Sequence, residues 1–117
     1  MILAIFLAAA LSVVDGDTVR MDGVTYRLLG FDTPETFYAQ CSYERGLGKA
    51  ATQRLEELLR DAQSIELQKT GQSCKWGRLC ASLLIDGVDV GDILISEGHA
   101  VPYDGKTKRR DWCAPPS

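Results

Sequence analysis

Residues 11–31 read L-S-V-V-D-G-D-T-V-R-M-D-G-V-T-Y-R-L-L-G-F, and this stretch decides the fold. It contains three short segments rich in β-branched or aromatic residues: 11–14, 18–21 and 24–31. Such a composition favours strands, and the Asp-Gly pairs that separate the segments favour tight turns. The stretch therefore predicts a three-stranded meander, and Pro34 ends its third strand.

A one-sided helix is predicted after the meander. Between residues 45 and 60, apolar side chains recur at helical spacing and the intervening positions are polar. The apolar face consists of Leu47, Ala50, Ala51, Leu55, Leu58 and Leu59. Residues 64–70 and 78–85 then predict two further strands, and residues 90–97 predict a short amphipathic helix that Gly98 stops.

The resulting element order is β-β-β-α-β-β-α. It predicts an α+β, mainly β fold, and a small closed or nearly closed barrel with a packed helix suits this order. The pattern alone leaves other α+β folds open. A chain of 117 residues has room for one domain, and its 45% hydrophobic and 25% charged residues are ordinary for a globular protein.

The net charge of -3 counts against a protein that coats nucleic acid regardless of sequence, because such binding depends on many Lys and Arg side chains. An enzyme with a cleft needs only local positive charge. The basic run of the chain, Lys106, Lys108, Arg109 and Arg110, lies in the tail 104–117. We interpret the tail as a solvated end, with contact to a polyanion as the alternative. Gly105 and the two prolines at 115–116 argue against a helix there.

The first ten residues are apolar and too few to span a bilayer. They predict an export signal, with an intact buried strand as the alternative, and so an exported, periplasmic or extracellular protein. The four cysteines, Cys41, Cys74, Cys80 and Cys113, fit that location, because an even number in a small exported chain suggests disulfides.

The pairing of the cysteines stays open. One bond through Cys113 is a way to close the C-terminal end, and a buried free thiol is the alternative for Cys80 because of its apolar surroundings. A zinc site is disfavoured, since the gaps between the cysteines are wide and irregular and His99 is the only histidine. We expect His99, just after Gly98, to be structural.

Three motifs carry the residues with chemical potential. They are D-G-D-T at 15–18, R-L-L-G-F-D-T-P-E at 27–35 and K-W-G-R at 75–78. The candidates among them are three acids, Asp17, Asp32 and Glu35, and two arginines, Arg27 and Arg78. Hydrolysis of a phosphodiester needs a hard cation, a base that activates water and fixed positive charge on the phosphoryl oxygens. The motifs therefore predict a combined metal and phosphate site.

The spacing and order of these motifs resemble the staphylococcal-nuclease-like (thermonuclease) family, and the resemblance spans residues 11–103. It implies a five-stranded OB-fold barrel with one long and one short packed helix. It also implies a metal-dependent nuclease, in which Asp17, Asp32 and the backbone carbonyl of Thr33 bind Ca²⁺ or another divalent cation. The glutamate that matches Glu35 activates the attacking water in that family.

Two arginines on different strands can approach one phosphoryl group from two sides, so Arg27 and Arg78 are predicted to form a phosphate clamp. The K-W-G-R motif resembles the K-Y-G-R turn of the family, and Trp76 keeps an aromatic face but loses the hydroxyl group. Lys75, Trp76 and Tyr103 are weaker candidates for substrate contact. For Asp15, a structural role in its turn and a functional role are equally supported.

The sequence thus predicts a nuclease that hydrolyses DNA, with RNA as a second candidate substrate. A catalytically silent OB-fold module that binds nucleic acid or a protein partner is the alternative, because a fold does not determine a function. The presence of the complete set of acids and arginines favours the enzyme. We expect a monomer with no stable protein partner and no membrane span.

Overall fold

The computed structural model describes residues 11–114, so the predicted export signal at residues 1–10 lies outside the described residues. Its elements, in chain order, are β1 Leu11–Asp15, β2 Thr18–Met21, β3 Val24–Leu28, β4 Phe31–Asp32, α1 Ser42–Asp61, β5 Ile65–Ser73, β6 Leu79–Ile85, β7 Val88–Asp89, α2 Val90–Ser96 and β8 Val101–Pro102. The predicted α+β, mainly β class with one long and one short helix is confirmed.

The main sheet has the order β1-β2-β3-β6-β5. The first three strands form the predicted antiparallel meander, β6 runs parallel to β3, and β5 runs antiparallel to β6. These five strands and two helices agree with the expected OB-fold. Within residues 11–114 no ladder joins β1 to β5, so the closure of the barrel is not seen there.

The third predicted strand is wrong at its end. It was expected over residues 24–31, but β3 ends at Leu28, and Gly30 adopts a left-handed conformation with φ +92°. The chain then enters β4, which pairs with β8 in a separate two-stranded sheet. This break matters for the site, because it places Asp32 in β4 and not at the end of a strand of the main sheet.

The long helix begins three residues before the predicted start at residue 45. Cys41 caps it, since its sulfur accepts a hydrogen bond from the backbone N–H of Glu44 at 3.3 Å. Two smaller differences concern strands, because β5 continues to Ser73 and β6 begins at Leu79.

The core lies between the main sheet and the two helices. Its largest fully buried apolar side chains are Leu28, Phe31, Leu55, Leu83, Leu94, Val19 and Val90. Two glycines permit the close packing that positions the site. A side chain at Gly16 would meet Thr33 and Ala51, and a Cβ at Gly48 would lie 2.7 Å from the carbonyl carbon of Glu35.

Two disulfides confirm the prediction from the cysteine count. Cys41 pairs with Cys113, which closes the C-terminal end, and Cys74 pairs with Cys80. The alternative of a free thiol at Cys80 is therefore wrong. In the part of the chain described here, neither helix is long and apolar enough to cross a membrane.

Candidate active site

Asp17 links the turn after β1 to the end of β4. One of its carboxylate oxygens accepts the backbone N–H of Thr33 at 3.1 Å, and the other accepts the hydroxyl of Thr18 at 3.1 Å. Asp32 lies in β4, immediately before Thr33, with 1% of its surface exposed. The two acids predicted as metal ligands are thus buried and lie around the same short segment.

Arg27 lies between these two acids. In the register of the meander it faces Thr18, next to Asp17. Its Nη2 is 3.4 Å from a carboxylate oxygen of Asp17 and 3.4 Å from one of Asp32, and its Nη1 donates to the carbonyl of Leu28. The structure therefore brings Arg27, Asp17, Asp32 and Thr33 together.

Arg109, which the sequence placed in a solvated tail, is the second cation of this cluster. Its Nε lies 3.1 Å from both carboxylate oxygens of Asp32, and its Nη1 lies 3.1 Å from Oε1 of Glu35. Its Nη2 donates to the carbonyl oxygen of Thr33 at 3.4 Å. The interpretation of this part of the tail as a solvated end is therefore wrong.

Trp112 was also missed. Its indole is 8% exposed, and its Nε1–H points to Oδ2 of Asp32 at 3.5 Å. The signal that could have revealed Arg109 and Trp112 is the pair Trp112-Cys113 in an otherwise polar tail. An aromatic residue next to a cysteine indicates packing against the domain.

The predicted calcium ligands have the right chemistry, since carboxylate and carbonyl oxygens are what hard cations prefer. However, residues 11–114 contain no group of three or more His, Cys, Asp or Glu side chains arranged to hold a metal ion. The oxygens of Asp17 and Asp32 face guanidinium groups instead. The oxygen atoms are of the kind that binds a hard cation, but in this arrangement guanidinium groups lie beside them. Calcium binding therefore stays a prediction.

Glu35 is held by its backbone, and its side chain is only partly buried. Its N–H donates to Oε2 of buried Glu44 at 3.1 Å, and Oε1 of Glu44 accepts the N–H of Gln40 at 2.9 Å. Partial burial raises the pKa of Glu35, Arg109 opposes that shift, and the nearby Asp17 and Asp32 add to it. A raised pKa makes a carboxylate a better proton acceptor.

Asp15 braces the turn in which Asp17 lies. Its Oδ1 accepts the backbone N–H of Asp17 at 3.2 Å. Burial, followed by the charge of Asp17, raises the pKa of Asp15 to about 7. The contact supports a structural role for Asp15. Because of the raised pKa, the charge of its carboxyl group changes near neutral pH.

The side-chain hydrogen bonds of Arg78 stay within its own K-W-G-R turn. Nε of Arg78 donates to the carbonyl of Lys75 at 3.4 Å, and its Nη2 donates to that of Cys74 at 3.3 Å. Arg27 pairs in register with Cys80, two residues after Arg78, so the two arginines lie near each other along the sheet. Trp76 is 87% exposed at the tip.

Tyr103 is the last predicted contact residue. Its backbone N–H donates to the carbonyl of Gly30 at 3.0 Å, and the residue lines a surface cavity of about 430 Å³ together with Asp104 and Thr107. Among the described residues, the hydrogen bonds and ion pairs of the acids do not include Lys75, Trp76, Arg78 or Tyr103.

The chain is similar in sequence to known proteins. The sequence model of one family, described as "Staphylococcal nuclease homologue", matches residues 25–112. The chain is 35% identical to the SPbeta prophage-derived endonuclease YokF of Bacillus subtilis (strain 168), over 84% of this chain and 36% of that protein. It is 34% identical to Endonuclease YncB of the same organism, over 84% of this chain and 50% of that protein.

A third relative has a name of another kind. The Succinoglycan biosynthesis protein ExoI of Rhizobium meliloti (strain 1021) is 32% identical, over 83% of this chain and 52% of that protein. The chain thus spans between 36% and 52% of the length of these three relatives. Because the family match runs from β3 to Trp112 and so covers most of the chain, the chain belongs to the staphylococcal nuclease homologue family.

Proposed function

We propose that this chain hydrolyses phosphodiester bonds in nucleic acid, with DNA as the first and RNA as the second candidate substrate. The observation that carries the proposal is the convergence of Asp17, Asp32, Glu35 and Arg27 within one network of contacts. Two relatives whose names contain "endonuclease" support it.

Glu35 is the proposed base. Its side chain is 27% exposed, so a water molecule can reach it, and its raised pKa favours proton transfer from that water. The backbone bond to Glu44 and the preceding Pro34 fix the direction from which the carboxylate approaches. A positioned base of this kind contributes roughly 10² to 10⁴ in rate.

Arg27 and Arg78 are the proposed phosphate clamp. Arg27 is held beside the acids by its contacts with Asp17 and Asp32. The hydrogen bonds of Arg78 to its own turn, at 3.3 and 3.4 Å, are long, so its guanidinium is free to exchange them for phosphoryl oxygens. Both arginines then stabilise the negative charge that develops in the transition state.

Calcium is the proposed cofactor, held by side-chain oxygens of Asp17 and Asp32 and by the carbonyl of Thr33. When bound, such an ion supplies positive charge to a phosphoryl oxygen and lowers the pKa of water. The aromatic face of exposed Trp76 supports base stacking, and Lys75 and Tyr103 are proposed as further substrate contacts.

Export to an oxidising compartment is the proposed location, and both disulfides support it, because such bonds persist outside the cytosol. We also propose that the chain works as a monomer, without a stable protein partner.

A nuclease assay tests the proposed function. Oxidised protein is incubated with plasmid and single-stranded DNA and RNA, first with calcium and then with a chelator, beside the matched Glu35→Gln variant. We expect cleavage that the chelator abolishes and that the variant lacks. Binding of the same substrates without cleavage, both with calcium and with the chelator, would favour the silent OB-fold module instead.

A further inference from the structure

One guanidinium group contacts three neighbouring groups that the proposed cation and base functions need. Arg109 contacts both carboxylate oxygens of Asp32, the carbonyl oxygen of Thr33 and the carboxylate of Glu35. Each contact joins a positive donor to an oxygen atom. A guanidinium and a divalent cation therefore compete for the same oxygens, since neither can bind them fully while the other is present.

The position of Arg109 is fixed by more than its charge. Three residues further on, buried Trp112 points its indole N–H at the same carboxylate of Asp32. Cys113 follows and is covalently bound to Cys41, the residue that caps α1. The guanidinium is thus tethered within four residues of a cross-link, which keeps its effective concentration at the site high.

Burial of Asp32 makes a counter-charge necessary. The Asp32 side chain is 2% exposed, and a buried charge without a partner is costly. Arg27 supplies one contact at 3.4 Å, and Arg109 supplies two at 3.1 Å. Arg109 is therefore the principal counter-charge of Asp32 in this arrangement.

We propose that Arg109 is a built-in competitor of the divalent cation, which occupies the cation position itself and is held there by the Cys41–Cys113 disulfide. Calcium binds only after the guanidinium has moved away from Asp32, Thr33 and Glu35. The apparent affinity for calcium is then lower than the intrinsic affinity by the fraction of molecules in which Arg109 has moved. This inference rests on the proposed function only for the identity of the cation.

Calcium titration by calorimetry, with thermal melting as a second measurement, tests the proposal. The set consists of the oxidised wild type, Arg109→Gln, Cys41→Ser/Cys113→Ser and the control Lys108→Gln, which removes an equal charge from an exposed tail residue. We expect Arg109→Gln to bind calcium on the order of tenfold more tightly, a typical size for coupling between two sites. The double serine variant should lie between it and the wild type, and Lys108→Gln should match the wild type.

A second experiment tests whether the guanidinium group itself occupies the cation position or whether its charge alone weakens calcium binding. In Arg109→Ala, millimolar methylguanidinium should weaken calcium binding, whereas potassium at equal ionic strength should not. The wild type should not respond to either ion. Melting curves without calcium show which variants are folded, and Arg109→Met, which also removes the charge but keeps a long side chain, replaces a variant that is not.

The outcomes of these arms decide the proposal. Calcium affinity in Arg109→Gln that is equal to or weaker than that of the wild type overturns it, as does an Arg109→Ala variant that methylguanidinium leaves unaffected. Tighter calcium binding in a chain that cleaves no nucleic acid would support the competitor and remove the proposed function. If the wild type cleaves nucleic acid but its calcium affinity does not depend on Arg109, the proposed function stands and the competitor proposal is overturned.

Discussion

The carboxylate of Glu44 accepts the backbone N–H of Glu35 at 3.1 Å, so a buried acid in the first turn of α1 positions the segment that carries the proposed base. Its other oxygen accepts the N–H of Gln40 at 2.9 Å. A single carboxylate thus holds both sides of the loop between β4 and α1. Glu44 touches the backbone of Glu35 and is a positioning residue.

We expect Glu44→Gln to lower turnover while it leaves the pKa of Glu35 in the pH–rate profile nearly unchanged. The amide keeps one acceptor but turns an NH₂ group toward a backbone N–H, which costs about 1–3 kcal/mol of unfolding free energy. Urea unfolding and steady-state kinetics measure the two effects. Wild-type turnover together with wild-type stability would remove the positioning role.

Glu35→Gln and Asp32→Asn should separate the base from the ligand. We expect Glu35→Gln to lower turnover by roughly 10² to 10⁴, since an amide cannot accept the proton, and to keep most of the calcium-induced rise in melting temperature. Asp32→Asn should lower turnover and also reduce the calcium-induced rise in melting temperature. Equal loss of calcium binding in the two variants would contradict this division of roles.

The two clamp arginines should differ in their effect on stability. Arg78→Ala should lower turnover by roughly 10² to 10³ with little change in melting temperature, because the side-chain bonds of Arg78 within residues 11–114 go to its own turn. Arg27→Ala should lower both, since buried Asp17 loses its contact with this guanidinium and buried Asp32 loses one of its two cationic neighbours. The exposed Arg60→Ala is the control. Turnover near that of the wild type in both variants would contradict the clamp.

Asp15 should make stability fall as pH rises toward neutrality. Its pKa is raised to about 7 by burial and by the charge of Asp17, with a further contribution from Glu35. Between about pH 4 and pH 7 the folded chain therefore keeps a proton that the unfolded chain has released, and the unfolding free energy decreases with pH. Urea unfolding at several pH values should show a shallower decrease for Asp15→Asn. An unchanged slope in the variant would contradict the assignment.

The two disulfides should contribute unequally to stability. The Cys41–Cys113 bond spans 72 residues and the Cys74–Cys80 bond spans 6, and a longer closed loop restricts the unfolded chain more. Cys41→Ser/Cys113→Ser should therefore lose more unfolding free energy than Cys74→Ser/Cys80→Ser. A thiol-reactive probe should label none of the four cysteines in native, oxidised protein. Equal losses, or labelled thiols, would count against this account.

Local sequence patterns predicted most of the fold and half of the site. The two Asp-Gly pairs defined the meander, because the turn chemistry acts within four residues. The same meander places Arg27 opposite Thr18, so the approach of Arg27 to Asp17 follows from local register. The end of β3 was missed because the apolar pattern continues through Leu29 while Gly30 turns the chain.

The contacts of Arg109 and Trp112 could not be predicted in the same way. Arg109 lies 77 residues from Asp32 and Trp112 lies 80 residues from it. Such a contact depends on where the whole fold brings the tail, and a basic, polar segment gives no periodic signal of its own. The start of α1 was missed for a chemical reason, since Cys41 caps the helix in place of the usual Ser, Thr, Asp or Asn.

Gly48 has a consequence for how this protein tolerates mutation. Any side chain there would enter the space of the Pro34 and Glu35 backbone, 2.9 Å from the carbonyl oxygen of Pro34. In a saturation library selected for activity, position 48 should therefore be as strongly depleted of substitutions as Glu35 itself. The loss should begin with alanine, the smallest change available, although Gly48 has no side chain with which to take part in the reaction.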